Sequence, residues 1–560
     1  MDRRQLKQTA KQTLKKHYLL LTALCFTAAI LGAEFLSLPT TDKLYYQSLI
    51  ESFQNISTSG FKAIGMAFYN LIGANSSSSI STQVYYHILG MFSSRNTWVI
   101  LSSLAGILGS LLVCIFFKQT LCIILRRMFL EARSYDTVPL QHVFFLNSAK
   151  KWFRASIALL RTDIYYLLWC LTIVGGVIKR YSYLMVPYIL AENPNMSGEQ
   201  AVRLSRDIMD GHKKEAFFID LSMIGWHLLN LLTFGLAGIF YVNAYQTSVF
   251  AEYYAAVRAE EKKKQIANID LLNDTYLFVK ADPDTLAAAY KTVKMDTMYI
   301  HDTKEPLQGA RRFFAETLSI WTGNHKQRKI YQGVRNLSYQ LSLDQNALDG
   351  KQYPDRLSPF YTKENIHYDG NLNEQRAYTI ENMILIFFIG SVLGWIFKCM
   401  DYFVFTNSCV NAGMFHGPWV PMYGLMGILC LTLLTKLRKK PIAEFIGCLI
   451  IAAAVLLCSS YYLQAMYGMA WWDFSTHIIS FGGRVSLQNT IYSAFVCMFF
   501  IHLILPALDQ WLSRRKTSIL YIIDAILIVL LIIDAVYSFT NPNTAGVLKE
   551  TGAVIQSLIL

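Results

Sequence analysis

Ionisable side chains inside apolar runs are the residues of this sequence that could do chemistry. Asp524 and Asp534 lie within the run 518–539, Lys398 and Asp401 at the end of the run 379–400, and Asp220 and His227 in the run 216–234. An ionised group at membrane depth is costly, so it marks either a route for a polar solute or a paired structural site. Asp220 and His227 are seven positions apart, which on a continuous helix puts them on one face. The plainer reading is that several of these groups sit near a run's end, where their stems reach the interface.

A second candidate lies between Asn411 and Gly427, where Gly413, Gly417, Pro418, Pro421 and Gly424 punctuate the chain around Tyr423. Pro418 or Pro421 could occupy the first turn of a helix. A glycine-rich approach to a helix N-terminus can offer backbone N–H groups to an anion; the competing reading is a tight helix–helix connector. Further on, Trp471, Trp472 and Asp473 are followed by Arg484, eleven positions after Asp473. A tryptophan pair suits a membrane interface, and an Asp473–Arg484 ion pair would close the loop there. Gly390 and Gly394 have the spacing that permits close helix packing.

Other chemistries lack their signatures. No phosphate-binding G-x-x-x-x-G-K-[ST] loop, H-E-x-x-H helix or G-x-S-x-G elbow occurs, so the chain carries no ATPase or hydrolase motif of its own. The ten cysteines lie mostly in apolar runs and form no C-x-x-C pair. His416 near Cys409 supplies two scattered ligands, too few for a metal site. The reading is therefore of a non-enzyme without cofactor or metal.

Positioning such groups requires helices that dissolve in lipid. The chain has 560 residues, 53% of them hydrophobic and 16% charged, against about 25% charged in an ordinary soluble chain. Lys and Arg number 51 against 38 Asp and Glu. These basic residues cluster between apolar runs, as positive-inside topology requires, and no nucleic-acid module accompanies them. A spanning helix takes about 20 apolar residues. Runs at 18–38, 98–117, 216–234, 239–257, 379–400, 418–435, 442–464, 487–508 and 518–539 meet that need, and 157–191 forms a shorter apolar pair. The prediction is an all-α polytopic membrane protein. It has about nine transmembrane helices plus one short re-entrant hairpin, in two helical bundles: 1–257 and 378–540, joined by a polar linker 258–377 and followed by a tail 541–560. The basic head 1–17 before the first run reads either as a signal peptide, with Ala33 at the cleavage site, or as an uncleaved anchor. The anchor is preferred because Leu6, Ala10 and Leu14 form an amphipathic stripe.

Charge then orients the chain in a cell membrane. A cytoplasmic N-terminus places 118–155, 192–215, 436–440 and 514–516 inside, with the linker cytoplasmic and the C-terminus external. Lys179 and Arg180 conflict with a full hairpin at 157–191, and a shallow re-entrant one on the cytoplasmic side removes the conflict.

Spaced blocks in both halves resemble known bacterial families. Arg4 to Lys15, the block from Tyr183 to Pro194, the block from Leu204 to Lys213 and the stretch from Phe217 to Trp226 resemble the integral-membrane family called domain of unknown function 975, over roughly 1–257. That resemblance implies fold and location only. Gly394-Trp395-Ile396, Asn411, Gly413, Gly417-Pro418, Pro421 to Gly424, Trp471 to Ser475, Gly483 to Val485 and Asn489 resemble the CmpB-type ABC-transporter permease family, over about 378–510. The second resemblance implies a permease whose ATPase is a separate subunit. It also implies an acid where Lys398 stands, an arginine where Ala412 stands, and an acid ahead of the double tryptophan, with Gln464 the counterpart. The leading expectation is thus a permease-like membrane component of unknown substrate. Its rival is a non-transporting scaffold or envelope-assembly factor, for which deleting 260–375 should leave the membrane domains folded.

Overall fold

Apolar runs without strand periodicity fold as helices almost throughout. The computed structural model describes residues 3–30, 34, 118–233, 235–291, 307–360, 376–406, 411, 413–438, 440–468, 470–475, 477 and 479–544. These fall into two compact units, one holding 3–34, 118–291 and 338–360, the other 307–337 and 376–544. The expected spans 98–117 and the outer loop 39–97 lie outside the described residues.

In the first unit the helices are α1 (Arg3–Lys16), α2 (Tyr18–Ile30), α3 (Thr120–Ser134), α4 (Trp152–Cys170), α5 (Ile173–Ser182), α6 (Val186–Glu192), α7 (Gly198–Ile208), α8 (Lys213–Leu221), α9 (Ile224–Leu232), α10 (Asn243–Lys264) and α11 (Pro283–Ala289). The stripe Leu6, Ala10 and Leu14 is buried, and α1 packs along α10. α10 is the unit's central helix. Tyr245, Val249, Tyr253, Tyr254 and Val257 are all buried, as are Thr247, Ser248, Glu252, Arg258 and Glu261. A helix apolar on most faces belongs either in lipid or in a protein core; the buried Glu252, tied to Arg133 at 2.7 Å, decides for the core. The expected span 239–257 is thus a core helix. The expected span 216–234 is broken as well: α8 and α9 are nine residues each, with turns at Ser222 and Met223 between them. The pair α4 and α5 reverses at Leu171 and Thr172 and presents an exposed apolar tip that includes Leu167, Leu168, Leu171 and Val174.

The second unit contains α12 (Gly309–Thr317) and most of the first half of α13 (His325–Leu348), then α14 (Ile380–Thr406), α15 (Pro421–Leu433), α16 (Pro441–Tyr467), α17 (Leu487–Phe499), α18 (Leu505–Ser513) and α19 (Thr517–Thr540). An antiparallel ribbon, β1 (Ser480–Phe481) with β2 (Val485–Ser486), precedes α17. Four helices among the described residues are long and apolar enough to cross a membrane: Ile380–Cys399, Ile442–Tyr467, Asn489–Ser513 and Thr517–Thr540. Two shorter apolar helices, Tyr18–Ala29 and Pro421–Leu433, accompany them. Of the five other expected spans, 98–117 lies outside the described residues, 239–257 is the core helix α10, 216–234 is broken between α8 and α9, and 18–38 and 418–435 hold the thirteen-residue helices α2 and α15. α14 and α15 approach closely because glycine faces glycine: a Cβ on Gly390 would stand 3.2 Å from Gly424 Cα, and one on Gly424 would overlap the Phe387 carbonyl oxygen and Ser391 Oγ. Gly394 faces the Tyr423 ring in the same way.

The polar segment expected as a linker is distributed over both units. Residues 258–264 continue α10, and Asp274 and Tyr353 are buried in the first unit. In the second, Trp321 N–H donates to the Tyr378 carbonyl at 2.8 Å and Tyr378 N–H to that of Ser319 at 2.7 Å. Deleting 260–375 therefore removes core residues of both units, so such a variant cannot serve as a folded test of a scaffold role.

Candidate functional site

The glycine- and proline-rich segment is held by a single carboxylate. Pro421 stands in the first turn of α15, as its fixed φ and missing donor favour. Ahead of it, His416 N–H and Gly417 N–H donate to Asp534 at 3.1 and 2.9 Å, and the Trp419 indole N–H donates at 2.7 Å. Ser538 Oγ adds a fourth donor at 2.9 Å. The backbone cradle expected for an anion is present, and the chain's own Asp534 fills it. Asn411 holds the other side: its Oδ1 accepts from the Trp395 indole at 2.8 Å and from Gly413 N–H at 3.2 Å, while its Nδ2 donates to the carbonyls of Phe415 and His416. Asn543 Nδ2 donates to the carbonyls of Asn411 and Gly413. A carboxylate with four donors is fully satisfied, so Asp534 clamps the loop against α19 and has no capacity left for a solute.

The tryptophan pair packs inward. Trp471 and Trp472 are buried with Met414, and Lys398 Nζ lies 4.9 Å from the Trp472 ring centroid, a cation–π contact. The expected Asp473–Arg484 ion pair is not what forms. Asp473 accepts from Ser475 N–H and Oγ, both at 2.8 Å, a local turn that Asp adopts readily. Arg484 instead donates to Gln464 Oε1 and to Ser460 Oγ, and lies 4.0 Å from the Tyr461 ring centroid. Its carbonyl accepts from the Trp472 indole at 2.9 Å. Gln464 is the position where the resemblance implies an acid. Gln464→Glu should therefore create an ion pair with Arg484 and raise stability by up to about 1 kcal/mol, as for a partly exposed pair. Thermal unfolding in detergent checks this, and Arg484→Gln should abolish the gain. Asn489 donates its backbone N–H to Ser486 Oγ at 3.2 Å at the start of α17.

Asp220 accepts from Tyr181 OH at 3.0 Å and from Arg180 at 3.3 Å. This tie gives Arg180 a partner on α8. His227 is exposed and lies beyond the break at Ser222 and Met223, on α9, so the shared face with Asp220 does not form. The side chain of Asp401 and position 412 lie outside the described residues.

Asp524 contrasts with Asp534. It is 4% exposed, and neither carboxylate oxygen has a hydrogen-bond partner among the described residues. α19 buries only Leu520, Asp524 and Ser538 and leaves its other faces open, as a lipid-facing helix does. Nearby, Asp509 is buried and accepts from Arg328 at 2.6 Å, Arg376 at 3.1 Å and Asn382 at 2.8 Å.

The chain matches two family models. Residues 385–539 match the one described as Putative ABC-transporter type IV, and residues 1–261 the one described as Protein of unknown function (DUF975). No curated protein and no solved structure matches. The type IV match takes in the clamp around Asp534, the tryptophan pair, Arg484, Asp509 and Asp524. The C-terminal part of the chain is thus similar to a transporter family, and it carries apolar helices long enough to cross a membrane.

The DUF975 region holds a charged network that sequence reading missed. In α3, Arg127 donates to Glu131 at 2.7 Å and to Asp274 at 2.7 Å. Glu131 also bonds His142 Nδ1, and His142 Nε2 lies 3.2 Å from Asp355. Tyr353 OH donates to Asp274 at 2.9 Å. Burial opposes charge on His142, but Asp355 and Glu131 outweigh it and push its pKa up to about 10. Burial likewise opposes charge on Glu131, yet His142 and Arg127 hold it below the usual carboxylate range. Asp274, Tyr353 and Asp355 lie outside the DUF975 match, in the segment first read as a linker. Elsewhere His212, Glu260 and Glu261 bring donor atoms within 4.8 Å of one another, a grouping able to hold a metal ion. The Lys264 ammonium already bridges the two carboxylates, at 2.9 and 2.7 Å.

Proposed function

We propose that the protein is the membrane-spanning permease component of a transporter whose ATP hydrolysis is performed by a separate subunit. One observation carries the reading: the stretch matching Putative ABC-transporter type IV coincides with the four helices long and apolar enough to span. The absence of a phosphate-binding loop from the sequence fits a division of labour between chains. Orientation follows charge, with the N-terminus and the segment 258–377 cytoplasmic and the C-terminus external. The apolar tip between α4 and α5 then dips into the cytoplasmic leaflet, which suits its exposed leucines and leaves Lys179 and Arg180 at the interface.

The rival, a scaffold that transports nothing, draws support from the clamp, where Asp534 is spent on an internal tie. Gentle detergent extraction of the tagged full chain separates the two. Co-purification of an ATPase whose ATP hydrolysis rises when this chain is present supports the permease; its consistent absence defeats that reading.

A further inference from the structure

Among the described residues, Asp524 is a buried carboxylate with neither oxygen hydrogen-bonded. It sits eight residues past Lys516, the last of the basic turn Arg514, Arg515 and Lys516, roughly 12 Å along the helix axis. The helix that packs against it, α14, contributes a second carboxylate, Glu381, whose field reaches Asp524. One turn along from each lies the apolar cluster of Leu385 and Leu520, with Leu508 and Leu512 from α18. The other acid of α18, Asp509, is engaged by Arg328 and Arg376. No cation on these elements is bonded to Asp524.

Desolvation with no donor or counter-charge makes an ionised carboxylate far more costly than a neutral one, and two neighbouring acids oppose each other's ionisation. Solvent comes near on the Glu381 side. Glu381 is 6% exposed and lies 3.2 Å from His325 Nε2, while His325 is 42% exposed. Tyr521 OH, one turn from Asp524 on α19, stands 3.5 Å from the same nitrogen. His325 therefore has one edge in solvent and the other on Glu381.

We propose that Asp524 is a proton-binding site inside the membrane-spanning helices, filled from the His325 side through Glu381. A proton from water adds to a carboxylate oxygen of Asp524 as an O–H bond and leaves by the same groups; nothing else is formed or broken. Its occupancy gives the permease a proton-coupled step distinct from ATP hydrolysis in a partner. The inference stands apart from the partnership reading, because it concerns this chain alone.

The test is reaction of the detergent-solubilised full chain with N,N′-dicyclohexylcarbodiimide, an apolar reagent that adds to protonated carboxyls, followed by peptide mass spectrometry. Labelling at Asp524 is expected near neutral pH, falling about tenfold per pH unit once the proton leaves, with Asp534 unlabelled. Glu381→Gln removes the opposing charge and should move that fall to lower pH. An Asp524 that stays unlabelled from acid to alkaline pH overturns the proposal. So does labelling suppressed by sodium chloride but not by choline chloride, which assigns the site to a metal cation. If Asp524→Asn fails to fold, the wild-type chain and Glu381→Gln still decide the matter.

Discussion

Replacing Asp509 with alanine is expected to destabilise the second unit by about 3–5 kcal/mol, the usual cost of stripping one partner from a buried ion pair. Asp509 lies on α18 and is 1% exposed. It accepts from Arg328 on α13, from Arg376 just ahead of α14 and from Asn382 within α14. Arg328 also donates to the Ala377 carbonyl at 2.9 Å. One carboxylate thus fastens three segments, and its removal deprives two buried guanidiniums of their shared counter-charge. Loss of the monodisperse peak after brief heating, followed by size-exclusion in detergent, measures the effect. Exchanging the whole group, with Arg328→Met, Asp509→Leu, Arg376→Met and Asn382→Leu together, should recover much of the loss, since apolar replacement of a complete buried cluster is often neutral. A single Asp509→Ala variant as heat-resistant as the wild type would show that the arginines have other means of neutralisation.

The sequence made some of this legible and concealed the rest, for identifiable reasons. Long lipid-facing helices announce themselves by hydropathy, and all four described long spans fall on predicted runs. The special character of the segment from Asn411 to Gly424 was readable from glycine and proline. Whether it cradles an anion or only connects two helices was not readable, because the group that meets its N–H donors is Asp534, 117 positions beyond Gly417. Nearness along the chain misled at Asp473 and Arg484: the arginine reaches back to Ser460 and Gln464 on α16, which the loop's own sequence cannot reveal. α10 misled for a deeper reason, since an apolar helix looks the same whether protein or lipid covers it. The polar segment after α10 looked like a spacer because its core residues, Asp274, Tyr353 and Asp355, are polar. Their partners are in α3 and at His142, up to 213 positions away, and no local period records such pairings.

Two aspartates of α19 show why burial alone does not identify function. Asp534 and Asp524 lie ten residues apart in one apolar helix. The first is met by four donors and becomes a structural tie. The second is met by leucines and another acid. The difference lies in what surrounds each side chain, and both environments are supplied by segments remote in sequence.

The network around His142 should make the first unit lose stability in alkali. His142 has its pKa pushed up to about 10 from an ordinary 6.5. A raised value means that folding favours the charged imidazole. Its contribution is then full below 6.5 and is lost as pH climbs through about 10. Glu131, held below its ordinary 4.5, works in the opposite sense: its contribution is present above 4.5 and disappears as pH falls through the lowered value. Stability from this pair therefore peaks between those limits and declines on the alkaline side by at most about 1.4 kcal/mol per pH unit. His142→Gln removes the titration while keeping a polar side chain. It should cost about 3–5 kcal/mol near pH 6, because Glu131 and Asp355 lose their shared cation. The difference between variant and wild type should then shrink steadily toward pH 10 as the wild-type imidazole loses its proton. Intrinsic-fluorescence melting of both proteins across that range supplies the comparison, which also cancels tyrosine and lysine titration common to both. Two melting curves that stay parallel from pH 6 to 10 would mean that His142 is neutral in the folded protein and that Arg127 alone balances the buried acids.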